Sequence, residues 1–156
     1  MKALTISQPW ASLIASGEKW IENRTWRTNY RGPMAIHAGL GSKYLKKKEL
    51  AEYETGSVVA VAWLRMCEKL QHIQTAAECK FSSEWCGCSY QYSDIAAHKY
   101  AEGPVCWVLE AVAMLSKPIP CKGAQGLWVL PAEIETLIWL DLAESDLAIK
   151  LKGVQS

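Results

Sequence analysis

Apolar and polar positions alternate over Lys2–Ile6, the pattern of a short half-buried strand. Ser7 or Gln8 can cap a following helix, and Pro9 suits its first turn. Trp10, Leu13 and Ile14 then recur at the spacing of one helix face, and Gly17 is a natural stop, so a helix is predicted from about Pro9 to Ser16. Lys19–Arg24 reads as a second strand and Met34–His37 as a third, with a turn-rich stretch over Asn29–Pro33 between them.

Ser42–Tyr53 is predicted helical, and its Lys43, Lys46, Lys47 and Lys48 form a solvated face. Ser57–Met66 is almost continuously apolar and rich in valine, the mark of a central strand. Residues 67–103 mix cysteines, rings and polar punctuation, and only a helix around Thr75–Cys79 is predicted within a long irregular insertion. Val105–Leu115 and Gly126–Leu130 are further strands, separated by a loop over Pro118–Gly123. Pro131 opens a C-terminal helix with Ile134, Leu137 and Ile138 on its buried stripe. Turns rather than regular crossover helices separate the strands. The expectation is therefore α+β: a mixed, largely antiparallel sheet forming a small β-barrel with peripheral helices.

At 156 residues, half of them apolar, the chain is long enough for one domain with its own core. No apolar run is long enough to span a membrane and no signal-peptide pattern opens the chain, so a cytoplasmic location without membrane attachment is expected. The net charge of +1 conceals an asymmetry: residues 1–48 carry nine Lys or Arg against two Glu. That half is suited to an anionic partner. Six cysteines are present, and Cys79, Cys86 and Cys88 with His72 or His98 invite a zinc reading. The single residue between Cys86 and Cys88 does not fit the usual paired spacing, so neither metal nor other cofactor is expected.

The densest chemistry lies in Gly17–Arg31, where Lys19, Arg24, Arg27 and Arg31 are interleaved with Trp20, Trp26 and Tyr30. Cations beside flat rings suit a planar, anionic ligand such as a nucleotide. No nucleophile elbow and no phosphate-cradling glycine loop occur, which sets aside Ser/His/Asp hydrolysis and P-loop chemistry.

Several stretches carry a family resemblance. Ala3-Leu4-Thr5-Ile6-Ser7-Gln8-Pro9-Trp10-Ala11, Gly17-Glu18-Lys19-Trp20-Ile21-Glu22-Asn23-Arg24-Thr25-Trp26, Tyr30-Arg31-Gly32-Pro33 and Ile36-His37-Ala38 resemble the N-terminal signature of ASCH domains (activating signal cointegrator homology). Pro118-Ile119-Pro120-Cys121-Lys122-Gly123-Ala124-Gln125-Gly126-Leu127-Trp128 resembles the closing motif. The resemblance implies a PUA-like fold and an RNA-binding or nucleoside-handling module. It also raises two enzymatic alternatives. One bacterial branch of the family cleaves the acetyl amide of N4-acetylcytidine with a Lys, a Thr and a Glu, and ribonuclease activity has been associated with other members. A protein-interaction role, of the cointegrator kind, is a third reading.

Lys19 falls where the amidohydrolase branch carries its essential Lys, and a lysine can serve as base or nucleophile. The branch's Thr falls at Glu22, which has no hydroxyl but can act as base or charge partner. The expected strand for the branch's Glu, around Val58–Met66, offers Arg65, with Glu68 just beyond. Three apart on a regular strand, Lys19 and Glu22 would point to opposite faces, whereas Glu22 and Arg24 would share one. Lys19 and Glu22 meet only if Lys19 precedes the strand or a bulge intervenes. The expected ligand wall is Gln8, Trp10, Arg24, Trp26, Arg31, Lys122 and Gln125, with RNA or a nucleoside as partner. Periodicity alone places Trp10 in the core, and Trp107 and Trp128 sit in strands as core residues; His37 reads as a hydrogen-bonded packing residue.

Overall fold

The computed structural model describes residues 1–41, 43–76, 80–82 and 89–143, with 80–82, 89 and 90 given by their backbone. In chain order the elements are β1 (Lys2–Ile6), α1 (Trp10–Ala15), β2 (Ile21–Arg24), β3 (Gly32–Ala38), α2 (Lys47–Leu50), β4 (Ser57–Lys69), α3 (Leu70–Thr75), β5 (Lys80–Ser82), β6 (Ser89–Gln91), α4 (Tyr92–Ala96), β7 (Val105–Pro120), β8 (Leu127–Val129) and α5 (Ala132–Leu142). The class is α+β with a mixed sheet, as the pattern predicts.

The residues gather into two compact units, Met1–Glu18, Pro33–Trp63 and Val112–Ser156 in the first, Lys19–Gly32 and Leu64–Ala111 in the second. In the first unit β1 pairs parallel with β3 and antiparallel with β8. Its side chains Leu4, Ile6, Ile14, Met34 and Ile36 are almost wholly buried. All seven residues of β3 are buried, which explains its uninterrupted run of small and apolar residues ending in His37 and Ala38. Gly17 ends α1 in the left-handed region at φ 80°, and its N–H donates to the Ile14 carbonyl. Gln8 does the capping work: its Oε1 accepts the Ser12 N–H at 3.1 Å, satisfying an orphan donor of the first turn.

In the second unit β2 pairs antiparallel with β7, Ile21 opposite Val108 and Arg24 opposite Val105. Ile21, Ile73, Ile95, Cys106 and Val108 form its buried cluster, edged by Trp20, Leu70 and Tyr92. Asn23 ties the following chain to this sheet. Its Nδ2 donates to the Tyr100 carbonyl at 2.7 Å, and its Oδ1 accepts the N–H groups of Glu102 and Gly103, each at 3.0 Å.

Four expectations need correction. The helix over Ser42–Tyr53 shrinks to the single turn of α2, none of whose residues is buried; a lysine-rich stretch with no apolar stripe gains nothing from packing, and short helices are marginal without it. The helix expected near Thr75–Cys79 is instead α3, which already ends at Thr75, while residues 77–79 lie outside the described residues. The loop expected over Pro118–Gly123 starts later, because β7 continues through Pro120. On α5 the buried positions are Ile138 and Leu142, while Leu137 is 48% exposed. No helix among the described residues is long and apolar enough to cross a membrane.

Candidate functional site

The sequence-predicted residues divide between the units. Gln8, Trp10, Lys122 and Gln125 belong to the first, and Lys19, Glu22, Arg24, Trp26 and Arg31 to the second.

In the second unit β2 begins only at Ile21, so Lys19 stands ahead of the strand and is free of its alternation. Its side chain folds back and is 3% exposed. The ammonium donates to Glu22 Oε2 at 2.6 Å and to the Ile21 carbonyl, and lies 5.8 Å from the Tyr100 ring centroid. The other carboxylate oxygen of Glu22 faces Arg24 Nη2 at 3.2 Å. One buried carboxylate thus serves two cations, the arrangement a buried charge requires.

Trp26 is half-buried and stands nearly perpendicular to the fully buried Trp107, ring centroids 4.7 Å apart. Trp107 Nε1 donates to the Trp26 carbonyl at 3.2 Å, so the core tryptophan fixes the Trp26 backbone as well as its ring. Arg27 is half-exposed and pairs with Glu68 at 3.1 Å. Burial acts to raise the Glu68 carboxyl, but the Lys69 N–H, the Arg27 charge and His72 outweigh it and hold the group below the ordinary carboxylate value. Arg31 is exposed and its Nη1 donates to the carbonyls of Thr28 and Tyr30, bracing its own turn.

His98 and Tyr100 complete these surroundings and were not expected from sequence. The His98 ring lies 4.4 Å from Trp20 and 5.6 Å from Tyr100. Burial, then the charges of Lys19 and Lys99, pull its pKa below the ordinary imidazole value. Tyr100 and Lys99 are its sequence neighbours, but Trp20 and Lys19 come from the other stretch of the unit and leave no mark in the local spacing around residue 98.

In the first unit Gln8 is wholly buried and its amide is engaged by backbone, Nε2 donating to the Glu54 carbonyl at 2.7 Å. Trp10 is not core: it is half-buried, edge-on to Tyr44 at 5.8 Å. Trp128 is likewise half-buried, and its Nε1 donates to Thr5 Oγ1. Lys122 and Gln125 are exposed on the rim of a cavity of about 370 Å³ whose wall includes Thr5, His37 and Gly123. His37 is 2% exposed, and its Nε2 lies 2.9 Å from the Cys121 carbonyl. A carbonyl only accepts, so Nε2 carries a proton, and in the neutral ring Nδ1 is left as an acceptor. The packing role expected of His37 is therefore half the story.

Among the described residues no cluster of His, Cys, Asp and Glu side chains could hold a metal ion. Cys79, Cys86 and Cys88 lie outside the described residues.

Fold and motifs together define a PUA-like domain. The ASCH domain family model matches residues 4–119, and the chain belongs to that family. Solved structures agree on the fold. The crystal structure of an ASCH protein from Zymomonas mobilis is 18% identical, with a TM-score of 0.52, and the match covers 89% of this chain and 94% of that one. A tyrosine-to-phenylalanine mutant of the Zymomonas protein gives 20% identity, a TM-score of 0.50 and coverage of 89% and 96%. A serine-to-alanine mutant gives 20% identity, a TM-score of 0.50 and coverage of 89% and 94%. No match was found among curated proteins.

Proposed function

We propose that this ASCH domain binds RNA or a modified nucleoside. The observation that supports it is the surface of residues 24–31. Arg27 and Arg31 are exposed there, Arg24 is partly so, and Trp26, held by Trp107, is partly exposed. Guanidinium groups beside a pre-positioned ring supply the two terms that bind single-stranded nucleic acid, phosphate attraction and base stacking. The test is fluorescence anisotropy with a short single-stranded RNA across a series of salt concentrations. Affinity should fall as salt rises, and Arg27→Ala and Trp26→Ala should each weaken it. Absence of binding at low salt to any RNA or nucleoside offered would remove the reading.

A second reading is a hydrolase acting on a modified nucleoside or RNA, favoured by the buried Lys19–Glu22 contact. The pair supplies an amine and a carboxylate within proton-transfer distance. It lacks the hydroxyl of the acetylcytidine-cleaving relatives, and a nucleophilic amine would first have to leave its carboxylate partner. Turnover of N4-acetylcytidine by the intact chain, lost in a folded Lys19→Met variant, is the required result; no turnover leaves binding alone.

A further inference from the structure

The Nδ1 atom of His37 is buried and has no hydrogen-bond partner. An unsatisfied buried acceptor is unusual and calls for a reason. Its surroundings point to one. The tautomer is fixed, because Nε2–H is committed to the Cys121 carbonyl. Two other polar side chains of the cavity wall are occupied: Thr5 Oγ1 donates to the Ala124 carbonyl and accepts from Trp128 Nε1, and Cys121 Sγ donates to the Lys122 carbonyl. The remaining wall is largely apolar, with Leu40 and three glycines.

Gly123 stands directly against the ring. A Cβ at that position would come within 2.5 Å of His37 Cε1 and 2.8 Å of Nδ1. Only glycine fits, and the atom it covers is the vacant acceptor. The segment that covers it, Cys121–Gly126, has glycine at 123 and 126 and no regular structure before β8.

We infer that this cavity is a base-binding pocket, in which an N–H donor of a nucleobase pairs with His37 Nδ1 as the Gly123 backbone gives way. The inference rests on the RNA or nucleoside reading and gives it a place and an atom. The chemistry is specific. A flat heteroaromatic ring matches the apolar wall, and its N–H matches the buried, vacant Nδ1. Lys122 and Gln125 at the rim supply a cation and an amide to the sugar or phosphate that the base carries. The pocket lies within the first unit, whereas the 24–31 surface lies within the second, so the two can be separated by mutation.

The experiment follows the His37 side-chain nitrogens by long-range proton–nitrogen correlation NMR. The intact chain is titrated with cytidine, adenosine and a doubly N-methylated cytidine that lacks the amino donor. Before addition, Nδ1 should resonate as an unprotonated nitrogen and Nε2 as a protonated one. Cytidine or adenosine should move the Nδ1 resonance, and the methylated compound should not. His37→Gln, which can keep a donor to the Cys121 carbonyl but loses the acceptor at Nδ1, should weaken nucleoside binding about tenfold, the loss of one hydrogen bond. His37→Asn, with an oxygen placed near Nδ1, should retain more of it. An Nδ1 resonance unmoved while RNA binds with the expected salt dependence would overturn this pocket and leave the Proposed function standing. An equal response to the methylated compound would also overturn it. No binding of RNA or nucleoside by the intact chain would overturn both.

Discussion

Lys19 reaches Glu22 at 2.6 Å because it precedes β2 instead of lying on it. Two residues three apart would otherwise point to opposite faces of the strand. Glu22 uses its second oxygen for Arg24, two positions further along the same face. Removing the carboxylate leaves two cations facing the same buried space. Glu22→Ala should therefore cost about 3 kcal/mol in urea unfolding, in line with breaking a buried pair. The Lys19→Met, Glu22→Ala double variant should lose less than the two single losses summed, which is the signature of coupling.

His98 should register the charge of Lys19. Burial and the two lysines depress its pKa, so the folded state favours the neutral ring. A group whose protonation the folded state resists makes the unfolded state bind more protons as pH falls. Stability should therefore decline as pH drops below the ordinary histidine value and level off below the folded one. Proton NMR of the His98 ring should show a midpoint below that of free histidine, and Lys19→Met should raise it. A midpoint indifferent to Lys19 would contradict the assignment.

Asn23 holds the 100–103 segment by donating to one backbone carbonyl and accepting from two backbone N–H groups. Asn23→Ala should cost about 2–3 kcal/mol, since it strands partly buried backbone groups. Asn23→Asp keeps the acceptor and should retain the slow amide exchange of Glu102 and Gly103 while losing the Tyr100 contact. Hydrogen exchange read residue by residue separates the two variants.

Ala111 is the one non-glycine residue with positive φ among the described residues, at 49° within β7. Left-handed backbone strains a residue bearing a Cβ. Ala111→Gly should raise stability by about 1 kcal/mol in spite of glycine's greater freedom when unfolded. A fall in the unfolding midpoint would show that the Ala111 methyl group packs more productively than the strain costs.

Buried thiols should react in the order their surroundings set. Burial raises Cys121 and Cys106 above the ordinary thiol value, reinforced at Cys121 by Glu133. Cys106 is fully buried and Cys121 partly exposed. Alkylation at pH 8 followed by peptide mass spectrometry should modify Cys121 well before Cys67 and Cys106.

The strands were readable wherever alternation or a continuous apolar run was strong, as over Lys2–Ile6 and Ser57–Met66. The Glu22–Arg24 pair followed from strand geometry alone. The Lys19–Glu22 contact turned on whether the strand began at residue 19 or 21, and element boundaries are where periodicity says least. Gln8 looked available for a ligand because sequence shows a side chain's chemistry but not its long-range partners; the Glu54 carbonyl lies 46 positions away. Trp10 looked like core because helical periodicity identifies a face without saying how completely another element covers it. Asn23 could have been noticed, since asparagine inside a strand is disfavoured and asks for a local reason. The vacant nitrogen of His37 had no sequence signal at all. It depends on which ring nitrogen meets the Cys121 carbonyl.

β4 and β7 each run through both units, and β1 lies between β3 and β8. During synthesis, the β1 position Ala3 waits for its antiparallel partner Trp128 until 125 more residues have been made. Until then one edge of β1 is an open hydrogen-bonding template on the ribosome, and neither unit has all its strands before β7 emerges. Neither unit is one contiguous piece of chain, so neither can close until late in synthesis. A truncation that stops short of residue 127 should yield an aggregating chain in place of a smaller folded domain.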